Sequence, residues 1–117
     1  MAGIAGTYNI TADQGATFTR VLTWKDSDGD PINLSGYTAR MQVRSIVSSA
    51  TPLLDLTTEN GQITLGGALG TITLTVPAAA MDDVPGGSYA YDLELVSGST
   101  VTRLVMGSFT VRAEVTR

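Results

Sequence analysis

The chain has no cysteine and no histidine. Without cysteine there is no disulfide framework, no thiolate nucleophile and no zinc–thiolate site; without histidine the commonest general base and the commonest metal ligand are both missing. Charge is scarce too. Charged residues make up 15% of the sequence, and 7 basic against 11 acidic residues leave a formal net charge of -4. That sign is wrong for tracking a phosphate backbone, so no nucleic-acid partner is expected. No apolar run approaches the ~18 residues of a membrane span. The opening Met1-Ala2-Gly3-Ile4-Ala5-Gly6 lacks the basic and apolar regions of a secretory signal. Neither a membrane partner nor export is expected. Aromatic residues are 6% of the chain, barely enough to fill one core.

What is abundant is the small hydroxyl: 17 Thr and 9 Ser among 117 residues, with 13 Gly to break the chain. A chain of 12.2 kDa is one domain by length and can bury roughly two-thirds of its extended surface. The expected organisation is a flexible arm over residues 1–6, carrying Ile4, followed by a single domain over residues 7–117.

Periodicity of two runs almost throughout, with Thr and Val supplying β-branched stiffness. Tyr8, Ile10 and Ala12 alternate with polar neighbours, and Phe18, Leu22 and Trp24 share the apolar face of the next strand, with Arg20 in phase as an intruder. Asp26-Ser27-Asp28-Gly29-Asp30-Pro31 is a turn, because Asp-Gly accepts positive φ cheaply and Pro31 stops further central pairing. Ala39, Met41 and Val43 point in while Thr38, Arg40, Gln42 and Arg44 point out. Weaker strands follow near 53–57 and 62–65. Thr71 to Val76 is the cleanest alternation, with Ile72, Leu74 and Val76 inside. Residues 78–84, opened by Pro77 and closed by Pro85-Gly86-Gly87, are the one helical piece expected, crossing between sheets. Tyr89, Tyr91, Leu93 and Leu95 then alternate with Ala90, Asp92 and Glu94, and Ser97-Gly98-Ser99 turns the chain into a final strand pair, Val101–Met106 and Phe109–Val115, with a bulge or bend expected at Gly107. The pattern predicts an all-β, immunoglobulin-like antiparallel sandwich of about seven to nine short strands with one helical turn near 78–84. A small closed barrel is the competing architecture. The core is expected to contain Phe18, Trp24, Met41, Leu74, Tyr89, Tyr91, Leu93 and Phe109.

Few residues carry recognisable chemistry. Asp26, Asp28 and Asp30 open like a calcium loop, but its sixth position is Pro31 and its twelfth is Tyr37. A solvated hairpin is the expectation. Adjacent Asp82 and Asp83 diverge and cannot form a catalytic carboxylate pair. No Ser, Thr or Lys has a base to activate it, so no enzyme, cofactor or metal is expected. Asp92 and Glu94 share a strand face, and pairing with the strand of Arg40 and Arg44 would build a cross-strand charge ladder. These four residues and Ile4 are the candidate docking positions. Arg20 is expected to keep its head in water while its stem packs on the Trp24 indole. Trp24 and the tyrosines are alternatively a stacking platform for a carbohydrate or receptor.

Three segments, Ile10-Thr11-Ala12-Asp13-Gln14-Gly15-Ala16-Thr17-Phe18, Leu22-Thr23-Trp24-Lys25-Asp26-Ser27-Asp28-Gly29 and Asn33-Leu34-Ser35-Gly36-Tyr37-Thr38-Ala39-Arg40-Met41-Gln42-Val43-Arg44, together resemble small bacteriophage virion proteins. They are also similar to the N-terminal immunoglobulin-like domain of phage baseplate upper proteins. Pro85-Gly86-Gly87-Ser88-Tyr89-Ala90-Tyr91-Asp92-Leu93-Glu94-Leu95 is like that family's Gly-x-Tyr-x-Tyr-Asp strand, and Gly107-Ser108-Phe109-Thr110-Val111 fits its closing strand. The resemblance implies a virion part, assembled in the host cytoplasm, whose partners are other virion proteins and copies of itself. It implies a tail, neck or baseplate adaptor for receptor-binding fibres or spikes. A capsid decoration protein and a glycan-binding module are the alternatives.

Overall fold

The computed structural model describes residues 6–45 and 52–113. Ile4 and most of the expected arm lie outside the described residues. Gly6 does not belong to the arm: it opens the first strand, opposite Val105.

Among the described residues nine strands appear in chain order: β1 (Gly6–Thr7), β2 (Ile10–Asp13), β3 (Phe18–Thr23), β4 (Thr38–Arg44), β5 (Leu54–Thr57), β6 (Ile63–Leu65), β7 (Thr71–Val76), β8 (Gly87–Ser97) and β9 (Thr100–Arg112). Helix α1 (Ala78–Asp82) starts behind Pro77, whose fixed φ suits a helix entrance, and carries the chain from β7 to β8. A second helical piece, a 3₁₀ turn at Gly67–Leu69, corrects the expectation of only one; the chain there turns too tightly to register as periodicity.

Two sheets face each other. The larger runs β1-β9-β8-β4-β5, with β2 also on β9, and the smaller runs β3-β7-β6. This is an immunoglobulin-like sandwich. It is not wholly antiparallel, because β1 and β2 pair parallel with β9, aligning Gly6 with Val105 and Ile10 with Phe109. Alternation cannot reveal that direction, since side chains alternate identically in both kinds of ladder.

Side chains from both inner faces meet in one core. Phe18, Trp24, Met41, Leu74, Tyr91, Leu93 and Phe109 are all buried there, beside Ile10, Leu34, Leu56, Ile63, Ile72 and Met81. Phe109 makes edge-on ring contacts with Phe18 and Tyr91, centroids 5.4 and 6.4 Å away. Tyr89 is the exception among the expected core residues. It is only partly buried, packed against the rim of the core, and the described register of β4 with β8 ends one residue before it, at Arg44 opposite Ala90. Its hydroxyl instead donates to the Pro85 carbonyl.

The bulge of β9 falls at Leu104, not at Gly107. Arg103 pairs with Glu94 and Val105 with Leu93, so Leu104 is the extra residue, and Leu104 and Val105 are consecutively buried. Gly107 has a different task. A Cβ built there would stand 2.5 Å from the Tyr8 carbonyl oxygen and 2.8 Å from Asn9 Oδ1, so the break between β1 and β2 rests directly on the bare glycine backbone. Around this contact the Tyr8 N–H donates to the Met106 carbonyl (2.9 Å), the Ser108 N–H to Asn9 Oδ1 (3.1 Å) and the Tyr91 hydroxyl to the Tyr8 carbonyl. Burial, with a smaller contribution from nearby Tyr8, pushes the Tyr91 hydroxyl above its ordinary pKa. It remains a donor across the working pH range.

Further along, Arg112 grips Asp13 through two bonds of 2.7 and 3.1 Å, which hold the carboxyl below its usual range. A carboxylate with a depressed folded pKa stabilises above its unfolded value, and the contribution fades as pH falls through the lowered one. The gap between thermal melts of wild type and Asp13→Asn should therefore be largest at neutral pH and shrink as pH falls below the ordinary aspartate range; a constant gap contradicts the pairing. Gly107→Ala should cost about 1–3 kcal/mol by overpacking, seen as a lower Tm, while an unchanged Tm would contradict the close approach.

Candidate docking face

The outer face of the larger sheet gathers the long polar side chains. Alternation on β4 sends Arg40, Gln42 and Arg44 outward while Ala39, Met41 and Val43 enter the core, and the same parity on β8 exposes Asp92 and Glu94 beside buried Leu93 and Leu95. Antiparallel pairing then sets Arg40 opposite Glu94, Gln42 opposite Asp92 and Arg44 opposite Ala90. Four of the five candidate docking positions thus lie on one face.

Their pairing differs in detail from a simple Arg40/Arg44 against Asp92/Glu94 ladder. Arg40 Nε donates to Glu94 Oε1 at 2.7 Å. Asp92, however, is met from the other side, by Arg103 of β9 at 3.4 Å. Arg44 stands one step beyond the carboxylates, opposite Ala90, and donates to Gln42 Oε1. On the far edge Asp55 of β5 sits opposite Gln42. Sequence alternation misses Arg103 and Met106 on this face because the Leu104 bulge shifts the phase of β9 between them. The available signal is the adjacent apolar pair Leu104-Val105 inside an otherwise alternating strand.

These side chains border a shallow groove of about 490 Å3, with Gln42 and Arg44 on one wall, Arg103 and Met106 on the other, and Asp92 and Ala90 along the floor. Ala90 carries the smallest side chain of the face, which keeps the floor low. Met106 is 46% exposed and gives the groove an apolar lip. The bases Arg40, Arg44 and Arg103 are matched by Asp55, Asp92 and Glu94, so the face is charge-balanced in a chain of net charge -4. The excess acid lies elsewhere, notably at Asp26, Asp28 and Asp30.

Those three aspartates form a closed hairpin. Asp26 Oδ1 accepts the Asp28 and Asp30 N–H groups, each at 3.0 Å, and Lys25 bridges to Pro31, so that carboxylate oxygen serves the turn itself. Gly29 supplies the left-handed residue, at φ 87°. Trp24 is buried and edge-on to Tyr37 at 6.1 Å, and Tyr91 is buried too, which removes both as exposed stacking platforms. Arg20 also departs from expectation. Its guanidinium lies 5.7 Å over the Phe18 ring rather than on the indole, and it donates to the Tyr8 hydroxyl (2.9 Å) and the Thr11 carbonyl (3.4 Å). The reason is parity: Arg20 faces the seam between β3 and β2, where those acceptors stand.

The fold and this face define a class, an immunoglobulin-like sandwich with a charge-balanced outer sheet. Comparison with models of known protein families finds no match, and comparison with curated protein sequences finds none either.

Exposed ion pairs of this kind contribute little to stability, because solvent screens them and long side chains lose entropy in forming them. A double-mutant cycle on Arg40→Ala and Glu94→Ala should give a coupling of about 0.2–1 kcal/mol, shrinking at high salt. A salt-independent coupling of several kcal/mol would contradict this description.

Proposed function

We propose that the chain is a non-catalytic structural module of a bacteriophage particle, an adaptor in the tail, neck or baseplate to which receptor-binding fibres or spikes attach. The observation that carries the docking role is the outer sheet face. Arg40, Gln42, Arg44, Asp92, Glu94 and Arg103 stand in fixed register on three adjacent strands over a close-packed core. A rigid base of that kind holds long polar side chains ready for another protein at small additional entropic cost. Because its ion pairs contribute little to folding, the face is free to exchange them for pairs with a partner. Phage context rests on the resemblance of the Ile10–Phe18, Leu22–Gly29, Asn33–Arg44 and Pro85–Leu95 segments to virion proteins. The burial of Trp24 and Tyr91 weighs against the glycan-binding alternative.

Quantitative mass spectrometry of purified particles tests the reading. The adaptor role predicts tens of copies or fewer per particle, hundreds would transfer the chain to capsid decoration, and absence from the particle would overturn both. The double charge reversal Arg40→Glu with Arg103→Glu should preserve folding and lower incorporation; undiminished incorporation would exclude this face as the contact.

A further inference from the structure

The free edge of β3 differs from the other edges of the sandwich. The Trp24 N–H bonds the Gly70 carbonyl at 2.9 Å, and the register pairs Leu22 with Ile72, Arg20 with Leu74 and Phe18 with Val76. In an antiparallel ladder this parity turns Phe18, Arg20 and Leu22 toward β7 and leaves the N–H and C=O groups of Thr19, Val21 and Thr23 pointing away from it. Among the described residues no strand lies on that side.

Elsewhere the edges are blunted. On β5 the Thr58 N–H bond to the Ala39 carbonyl (3.1 Å) sets the parity, so the outward groups belong to Asp55 and Thr57. Asn60 occupies two of these four groups: its Nδ2 donates to the Asp55 carbonyl at 2.9 Å and its Oδ1 accepts the Thr57 N–H at 3.1 Å. On β2 the Thr11 carbonyl receives Arg20. Strand β6 is only three residues long. By contrast β3 is six residues long, contains no proline or lysine, and presents Val21, 55% exposed, between Thr19 and Thr23. Proteins ordinarily protect an edge of this kind with several such devices, and β3 has a single inward-pointing charge, Arg20.

We propose that two copies of this chain associate through β3, edge to edge and antiparallel about a two-fold axis at Val21, so that their smaller sheets merge into one continuous sheet. The strand specifies its own copy as the partner. Thr19-Arg20-Val21-Leu22-Thr23 places threonines symmetrically about the valine, so two-fold pairing sets Val21 against Val21 and Thr19 against Thr23 of the second copy. In that register each outward N–H and C=O of the three residues meets its counterpart. Charge agrees with this pairing. The strand's one charge, Arg20, is drawn away onto Phe18, Tyr8 and Thr11 of its own copy. The outer face beside the edge is built from Thr64, Thr71, Thr73 and Thr75, so the stretch Thr19–Thr23 meets its copy with no carboxylate in the paired ladder, and the aspartate hairpin at Asp26–Asp30 lies beyond its end.

Sedimentation of the full chain tests the pairing. Wild type should show a concentration-dependent monomer–dimer equilibrium. Val21→Pro removes an N–H that β7 does not use, and Val21→Lys sets two like charges opposite each other; each should weaken association on the order of ten- to a hundredfold. Far-UV circular dichroism should show the fold retained in both. A wild type that stays monomeric up to millimolar concentration, or a dimer that neither variant weakens, overturns the proposal. Because the chain lacks native cysteine, Val21→Cys should give a disulfide-linked dimer on mild oxidation while Val101→Cys, similarly exposed, should not. Equal cross-linking at both positions also overturns it.

Discussion

The contact of the Tyr8–Asn9 backbone with Gly107 governs how the two sheets are completed. A sandwich of this topology has two strands at its N-terminal side to which the first segment can be added, β3 of one sheet and β9 of the other. Here the choice goes to β9. A bare glycine lets the chain break lie flat on the strand, and the Tyr91 hydroxyl, the Met106 carbonyl and the Ser108 N–H then engage the polar groups that the break exposes. Asp13 and Arg112 fasten the far end. Each bond contributes modestly, and together they fix where the break lies against β9.

Two consequences follow for the surface. The larger sheet gains β1 and β2 beside β9, so that β9, β8 and β4 are all interior strands, and the charged face they share is held on a stiff support. In the smaller sheet β3 stands as an edge among the described residues. The outer faces differ accordingly. One carries arginines and carboxylates in register, adaptable at low cost to stability; the other is an uncharged lattice of threonines around Val21. Arg20 ties the regions together, since one guanidinium covers the Phe18 ring, meets the Tyr8 hydroxyl and caps a carbonyl of β2.

Much of this was legible in the order of residues, and the gaps have physical causes. Thr71 to Val76 and Thr38 to Arg44 announce their strands because each has one buried and one solvated face, and the same alternation places Arg40, Arg44, Asp92 and Glu94 together. Which charge meets which was not legible. That depends on register, and the Leu104 bulge brings Arg103 to Asp92 in a way that strict alternation cannot anticipate. Nor did the pattern reveal the direction of β1 and β2, the merely partial burial of Tyr89, or the turn toward Thr11 that separates Arg20 from Trp24. Each of these follows from long-range contacts between segments far apart in the chain.

The central claim is that docking the N-terminal strand on β9 leaves β3 open to a second copy. Residue-resolved amide hydrogen exchange at low and high protein concentration tests it most directly. The Leu22 amide, held by β7, should be protected under both conditions, whereas those of Thr19, Val21 and Thr23 should exchange rapidly in dilute solution and become protected as concentration rises. Protection of all four amides at every dilution, or rapid exchange of those three at every concentration, would contradict the account.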